Sequence, residues 1–285
     1  DLAMYQSKSS GKSMFQFHSP ELTQHVQQRM EIERELRLAL DSGEIEAFFQ
    51  PVIDLESGRI VGAEALARWR KPDGRHIPPA AFVPVAEQTN LITDIDLVVL
   101  SQACRHTSAW IGEGFGDLRI SCNVSARHFQ RGNLVAEVSR ILEASGLPES
   151  RLTLEVTETV YMENIDKARA ILESLRELGI ASALDDFGTG YSSLSYVRSL
   201  HFDVLKIDRS FVKKLPEESS LALVRAMLGI ADSLGITPLA EGMENTGQFD
   251  LLKSLGCQLG QGYLFSPPVP ADTFMGLLAR QAPTD

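Results

Sequence analysis

The sequence predicts an α/β fold in which short apolar strands alternate with longer amphipathic helices. Three observations predict it. From about Glu46 onward, strand-length apolar runs recur between segments of helical spacing. Residues 41–285 suit one barrel of about 250 residues, although an open doubly wound sheet is the competing layout. Nearly every apolar run is followed by an acid, an amide or a lysine.

Taken in order, Ser19-Pro20-Glu21 reads as a helix start, with a capping serine and proline at the first helical position. The helix continues through Met30, Ile32, Leu36, Leu38 and Leu40, with Glu31, Glu33 and Arg34 on a charged face. Ala47–Ile53 and Ile60–Trp69 are strands around a Gly58 turn, so the first pair is expected to be antiparallel. Leu97–Ile111 has helical spacing. Strands are then expected at Leu118–Val124, Leu152–Val156, Ile180–Leu184, Val204–Ile207, Ile236–Ala240 and Gly262–Phe265. Between and after them lie helical segments at Leu134–Ser145, Ile165–Leu178, Leu194–Ser199, Leu221–Leu234 and Phe249–Leu255, and from Ala271. Trp69 and Trp110 are expected in the core.

Composition narrows the function. The 285 residues are 44% hydrophobic and 23% charged, as in an ordinary globular protein. A net charge of -11 is a poor footprint for a nucleic-acid polymer. No apolar run reaches the ~20 residues of a membrane span, and the polar start lacks a signal-peptide core. Cys104, Cys122 and Cys257 are odd in number and widely spaced, so neither a disulfide framework nor a zinc site is indicated, and a reducing cytoplasm is the expected setting. The start at Asp1, in an expected helix, reads as part of a longer protein whose other segments could carry a membrane anchor.

The strand ends carry the chemistry. Glu64 sits within an apolar strand, Asn123 ends the next, and Glu155 follows Leu154 with Glu158 three further on. Asp185-Asp186 precede Phe187-Gly188-Thr189-Gly190, Lys206 and Asp208 lie around Ile207, Glu241 and Glu244 follow Ala240, and Gln261 stands just before the expected last strand. An acid after a strand is commonly a helix cap or a solvated loop residue, but a lone acid buried in a strand is costly and six such strands make coincidence a poor account. In a barrel these ends converge on the catalytic face. Two like charges ~4 Å apart repel by about 4 kcal/mol at an effective dielectric near 20, so converging acids need cations. An all-oxygen donor set points to Mg²⁺ or Mn²⁺, with Ca²⁺ a non-productive, inhibitory occupant. Adjacent aspartates suit a two-metal site of the kind that hydrolyses phosphoesters. Lys206 would orient a water or a phosphate oxygen; the bland alternative is a salt bridge to Asp208 or another acid. No His-Glu-x-x-His, P-loop or nucleophile elbow is present, and Gly188-Thr189-Gly190 is expected to be a mobile loop.

Glu64-Ala65-Leu66-Ala67-Arg68-Trp69 resembles the signature of EAL domains. The resemblance extends through Phe49-Gln50-Pro51, Asn123-Val124-Ser125, Glu155-Val156-Thr157-Glu158, Asp185–Ser193, Lys206-Ile207-Asp208, Ala240–Glu244 and Gln261-Gly262-Tyr263. It implies a (β/α)₈ TIM-barrel variant with an antiparallel first strand, over residues 42–285. It implies hydrolysis of c-di-GMP to linear pGpG with Mg²⁺ or Mn²⁺. Glu64, Asn123, Glu155 and Asp185 would ligate one metal, and Asp185 and Asp186 the second. Lys206 and Glu241 would position and activate the water. Gln50, the Leu66 backbone and Arg68 would hold the nucleotide, with Asp208, Glu244, Gln261 and Tyr263 beside it. Glu158 would serve catalysis by bracing the Asp186–Ser193 loop, through Ser192, and that loop would form a homodimer interface. Ser266-Pro267-Pro268 departs from the family's usual basic residue before the second proline, away from the metal ligands.

Asp1–Lys8 with Gly11-Lys12 resembles the closing helix of a GGDEF domain, which makes residues 1–18 the tail of a preceding domain and 19–41 a linker helix. Two other functions compete: a c-di-GMP receptor of weak turnover that signals through the linker helix, and a Mg²⁺-dependent metabolic barrel with Lys206 as proton-abstracting base. The intact acids favour the hydrolase over the first, and motif order with Arg68 disfavours the second.

Overall fold

Ile45–Asp54 (β1) and Ile60–Arg70 (β2) form an antiparallel hairpin in which Gln50 pairs with Glu64 and Ile45 with Trp69. The computed structural model describes residues 20–160, 164–188 and 194–281. From β2 the sheet continues in parallel through Arg119–Asn123 (β4), Leu152–Thr157 (β5), Ala181–Phe187 (β6), Val204–Ile207 (β7), Thr237–Ala240 (β8) and Leu259–Gly260 (β9). Strand β9 then pairs antiparallel with β1 and closes an eight-stranded barrel. His76–Ile77 (β3) is a short extension on β2. The closed barrel excludes the open sheet, and β1 is the antiparallel strand.

Each parallel strand returns through a helix laid outside the barrel, among them Ile92–Gly112 (α3), Leu134–Ser145 (α5), Ile165–Glu177 (α6) and Glu218–Leu234 (α9). Side chains alternate along a strand, so one set faces these helices and the next faces the lumen. Ile120, Cys122, Leu152, Leu154, Leu184, Leu205 and Ile207 form the outward set, buried in one continuous core. Trp69 and Trp110 lie in it, as expected from the sequence. The helix Pro20–Ser42 (α1) precedes the barrel, starts at the predicted proline, and buries Leu36 and Ala39. The GGDEF-like stretch 1–18 lies outside the described residues, as do residues 189–193 of the glycine loop.

One predicted element needs correction and one helix is added. The last strand is Leu259–Gly260, not Gly262–Phe265, so Gln261 follows a strand instead of preceding one. Gly262–Phe265 turns: Phe265 N–H donates to Gly262 O, and Leu264 N–H to Met243 O. A Cβ on Gly262 would collide with the Met243 backbone, so this close approach requires glycine. Pro79–Thr89 (α2), which carries Pro84 inside it, is a helix that the sequence pattern does not predict. Its Phe82 packs edge-on against Trp69 and fixes the outer side of the β2 end.

Candidate active site

The lumen-facing residues at the C-terminal ends of the parallel strands form one charged layer around Lys206. Alternation along β7 turns Leu205 and Ile207 outward and Lys206 inward, where it is 1% exposed. Its ammonium touches four carboxylates: Glu155, Glu241 at 2.7 Å, Asp185 at 3.3 Å and Glu64 at 3.4 Å. Asn123 Nδ2 donates to Glu64 Oε1 at 2.9 Å. Gln261 Nε2 donates to Glu64 Oε2 at 2.6 Å and to Glu241 Oε1 at 3.0 Å. Backbone ladders extended past the strand ends hold these groups: Glu241 N–H donates to Ile207 O, and Gln261 N–H to Ala240 O.

Two consecutive acids cannot both face the lumen from a regular strand. Here the β6–β7 register shifts between Leu184 and Phe187, and Asp186 takes φ 55. That left-handed residue is uncommon for a non-glycine and marks a bulge that re-aims a side chain. Asp186 N–H donates to Asp185 Oδ1, and the charges of Asp185, Asp208, Lys206 and Glu64 all act on Asp186.

Electrostatics follow from burying acids around one cation. Burial and the charge of Glu64 push Glu155 well above the usual carboxylate range. Burial raises Glu241 to about 7 against the pull of Lys206. Burial works upward on Glu64 too, but Lys206 and the Gln261 and Asn123 hydrogen bonds hold it below its ordinary value. Burial would lower Lys206, yet the surrounding carboxylates, Glu155 foremost, hold it well above 10.5. Four carboxylates face one ammonium, so the layer keeps an excess of negative charge. Among the described residues no three Asp, Glu, His or Cys side chains already surround one point as a metal cage, and the ammonium of Lys206 lies among the four carboxylates. The acids therefore have a protein cation among them, a neutralising group that convergence of charge alone did not require. The Gln261 Oε1 atom is buried without a partner among the described residues.

Above the layer a cavity of about 410 Å³ is lined by Gln50, Leu66, Arg68, Glu244 and Tyr263 as well as the charged groups. Gln50 is buried and donates to Ser266 O at 3.3 Å; Tyr263 is exposed. Asp208 lies apart from the Lys206 cluster: its carboxylate caps the turn Arg209–Val212 (α8) through Ser210 N–H at 2.9 Å. The salt-bridge alternative for Lys206 thus holds with Glu155, Glu241, Asp185 and Glu64, and not with Asp208. Glu158 is buried and accepts from Gly188 N–H, a bond that opposes the upward push of burial on its carboxyl. It thereby grips the start of the glycine loop; Ser192 lies outside the described residues. Sequence reasoning missed Asp96, whose Oδ2 accepts Ser125 N–H at 2.9 Å and fixes the turn after Asn123. An acid on the apolar face of the helix 92–112 was the available signal.

Residues 33–268 match the EAL domain family. The chain is 41% identical over 270 residues to cyclic di-GMP phosphodiesterase NbdA of Pseudomonas aeruginosa, covering 94% of this chain and 34% of NbdA. It is 37% identical to oxygen sensor protein DosP of Escherichia coli, covering 99% of this chain and 35% of DosP. The solved PaMucR phosphodiesterase in complex with c-di-GMP superposes with a TM-score of 0.82 at 39% identity, over 86% of this chain and 99% of that one. The chain spans about a third of the length of the curated relatives it matches. The strand-end chemistry and these matches agree: the chain belongs to the EAL domain family.

Proposed function

We propose that this chain hydrolyses one phosphodiester bond of c-di-GMP to give linear pGpG, using Mg²⁺ or Mn²⁺. The observation that carries the reading is the layer of carboxylates gathered on Lys206 beneath a cavity edged by Gln50 and Arg68, in a chain 39% identical to a phosphodiesterase solved with c-di-GMP. The residues fit divalent metal ions, because the donors are all oxygens and their negative charge exceeds that of Lys206. Glu64, Asn123, Glu155 and Asp185 would hold one ion, and Asp185 with Asp186 a second. Such ions, when bound, neutralise and polarise the phosphoryl group.

The chain's own residues supply the rest. Arg68 and Gln50, with the Leu66 backbone, hold the nucleotide over the charged layer, and Glu244, Gln261 and Tyr263 border it. Asp208 acts at one remove, through its charge on Asp186. Lys206 presents its ammonium to a phosphate oxygen or to the attacking water. Glu241, raised to about 7, is suited to take a proton from that water near neutral pH. As the water oxygen bonds to phosphorus, the bond to the leaving ribose oxygen breaks; that oxygen takes a proton from solvent, and Glu241 returns its own to solvent. Glu158 serves by holding the glycine loop.

The same reading makes the protein a homodimer through the Asp186–Ser193 loop and places residues 1–18 at the end of a GGDEF domain in a cytoplasmic parent. Three free, buried cysteines support a reducing location. Among the described residues no helix is long and apolar enough to cross a membrane.

The test is incubation with c-di-GMP and Mg²⁺, Mn²⁺, Ca²⁺ or chelator, following pGpG by chromatography. Turnover with Mg²⁺ or Mn²⁺, abolished by chelator and unsupported by Ca²⁺, is the expected result. Tight binding without product makes the chain a receptor, and neither binding nor product removes c-di-GMP from the assignment.

A further inference from the structure

The lumen below the charged layer is underfilled. One alternation step below the charged layer, the inward positions are Val52, Gly62, Ser121, Thr153, Ala183, Val204, Leu239 and Leu259, small or polar on β2, β4, β5 and β6. Barrels of this size ordinarily pack that level with bulky branched side chains. Here a cavity of about 500 Å³ remains, within the range of small-molecule sites. It opens at the end of the barrel opposite the catalytic face. Ser121 is part-exposed although Ile120 and Cys122 on either side of it are buried, so solvent reaches it from below. Glu155 forms the roof.

Four polar groups in this cavity lack partners among the described residues. The hydroxyls of Ser121, Thr153 and Thr237 and the Arg119 guanidinium line it, and none makes a hydrogen bond or ion pair among the described residues. Of the acids at the mouth, Asp117 pairs with Arg151 at 3.4 Å, and Asp203 Oδ2 accepts Ser182 N–H at 2.8 Å. Arg119 is the one cationic side chain lining the cavity, at its mouth beside walls of Val52, Phe202, Leu239 and Leu259. A cation at the mouth, apolar walls and hydroxyls at mid-depth together specify a ligand.

We propose that the N-terminal mouth of the barrel is a second small-molecule site, for a carboxylate with a short apolar body, its headgroup on Arg119 and its body under Glu155. The site does not depend on the reaction assigned to the opposite face, and its test reads binding alone. The 285-residue chain is titrated with sodium octanoate and, separately, with octan-1-ol, by calorimetry and by amide chemical shifts. Octanoate is expected to saturate one site with shifts centred on β4, β5 and β8. Arg119→Met weakens octanoate by about tenfold, the loss of one charge-assisted contact, and leaves octan-1-ol unchanged. Ser121→Leu, which fills the cavity, weakens both; if that variant does not fold, Ala183→Val occludes the same space. Arg68→Met, on the catalytic face, changes neither. Absence of saturable binding overturns the proposal, as does octanoate affinity that survives Arg119→Met or falls with Arg68→Met.

Discussion

Leu205 and Lys206 are adjacent on β7 and equally buried, at 0% and 1% exposure, yet they face two different environments. On the helix side of the barrel wall, burial removes apolar surface from water and stabilises the fold at roughly 25 cal/mol per Å². On the lumen side, burial strips water from one ammonium and four carboxyl groups held by one another. A buried charged cluster of this kind is weak support for stability but a strong device for setting protonation states and orienting a reactant. The outer face makes the barrel, and the lumen face uses its rigidity.

Substitutions on the two faces should therefore separate activity from stability. The largest effect is expected from Lys206→Met, which should lower pGpG formation by about a thousandfold, the upper end for removal of one preorganised charge. Leu205→Ala should instead cost about 2–5 kcal/mol in denaturant unfolding while leaving turnover per folded molecule intact. An equal loss of turnover in both variants would erase the distinction between the faces.

The lumen should also give stability an inverse pH dependence. Glu241 moves from an ordinary 4.5 to about 7, and Glu155 moves in the same direction. Between these values the folded chain keeps protons that the unfolded chain has released, so raising the pH favours unfolding. Urea unfolding in chelator should show stability falling from pH 4.5 to 7, by up to about 1.4 kcal/mol per pH unit for each such proton. Glu64, held low, titrates below that window and acts in the opposite sense there. Glu241→Gln should flatten the slope; stability that climbs through the window in the native chain would contradict the burial argument.

Smaller effects test the supports. Glu158→Ala should reduce turnover by about tenfold with c-di-GMP binding retained, since it removes the grip on Gly188 and no group in the charged layer. Unchanged turnover would leave Glu158 without a part in the site. Trp69→Phe should cost about 2 kcal/mol by thermal unfolding, the lost hydrogen bond to Glu44 at 3.0 Å together with the void left beside Phe82.

The sequence made the lumen side more legible than its supports. Glu64, Asn123, Glu155, Asp185 and Lys206 stand out because a polar residue at strand period inside apolar runs is costly to bury unless other groups meet it there. The last strand escapes the sequence because two residues, Leu259–Gly260, are too short to show alternation, while Gly262–Phe265 carries the apolar texture of a strand and is bent by contact with Met243. The helix Pro79–Thr89 is hidden by Pro78 and Pro84, which locally signal a break that packing against Trp69 overrides. That Lys206 itself occupies the meeting point of the acids depends on register between strands far apart in sequence, which no single run displays.

The reversed first strand has a mechanical consequence. Because β1 runs against its neighbours, the chain enters the barrel at the rim of the charged end and not at its floor. The helix Pro20–Ser42 is fastened at that rim, where Lys71 lies over the Trp69 ring and bridges Glu35 of the helix at 3.0 Å and Glu44 at 3.5 Å. Torque on the helix is thus delivered to Lys71, just past the end of β2 and three residues beyond Arg68. Whatever turns that shaft acts on the charged rim of the barrel first and on its far end last.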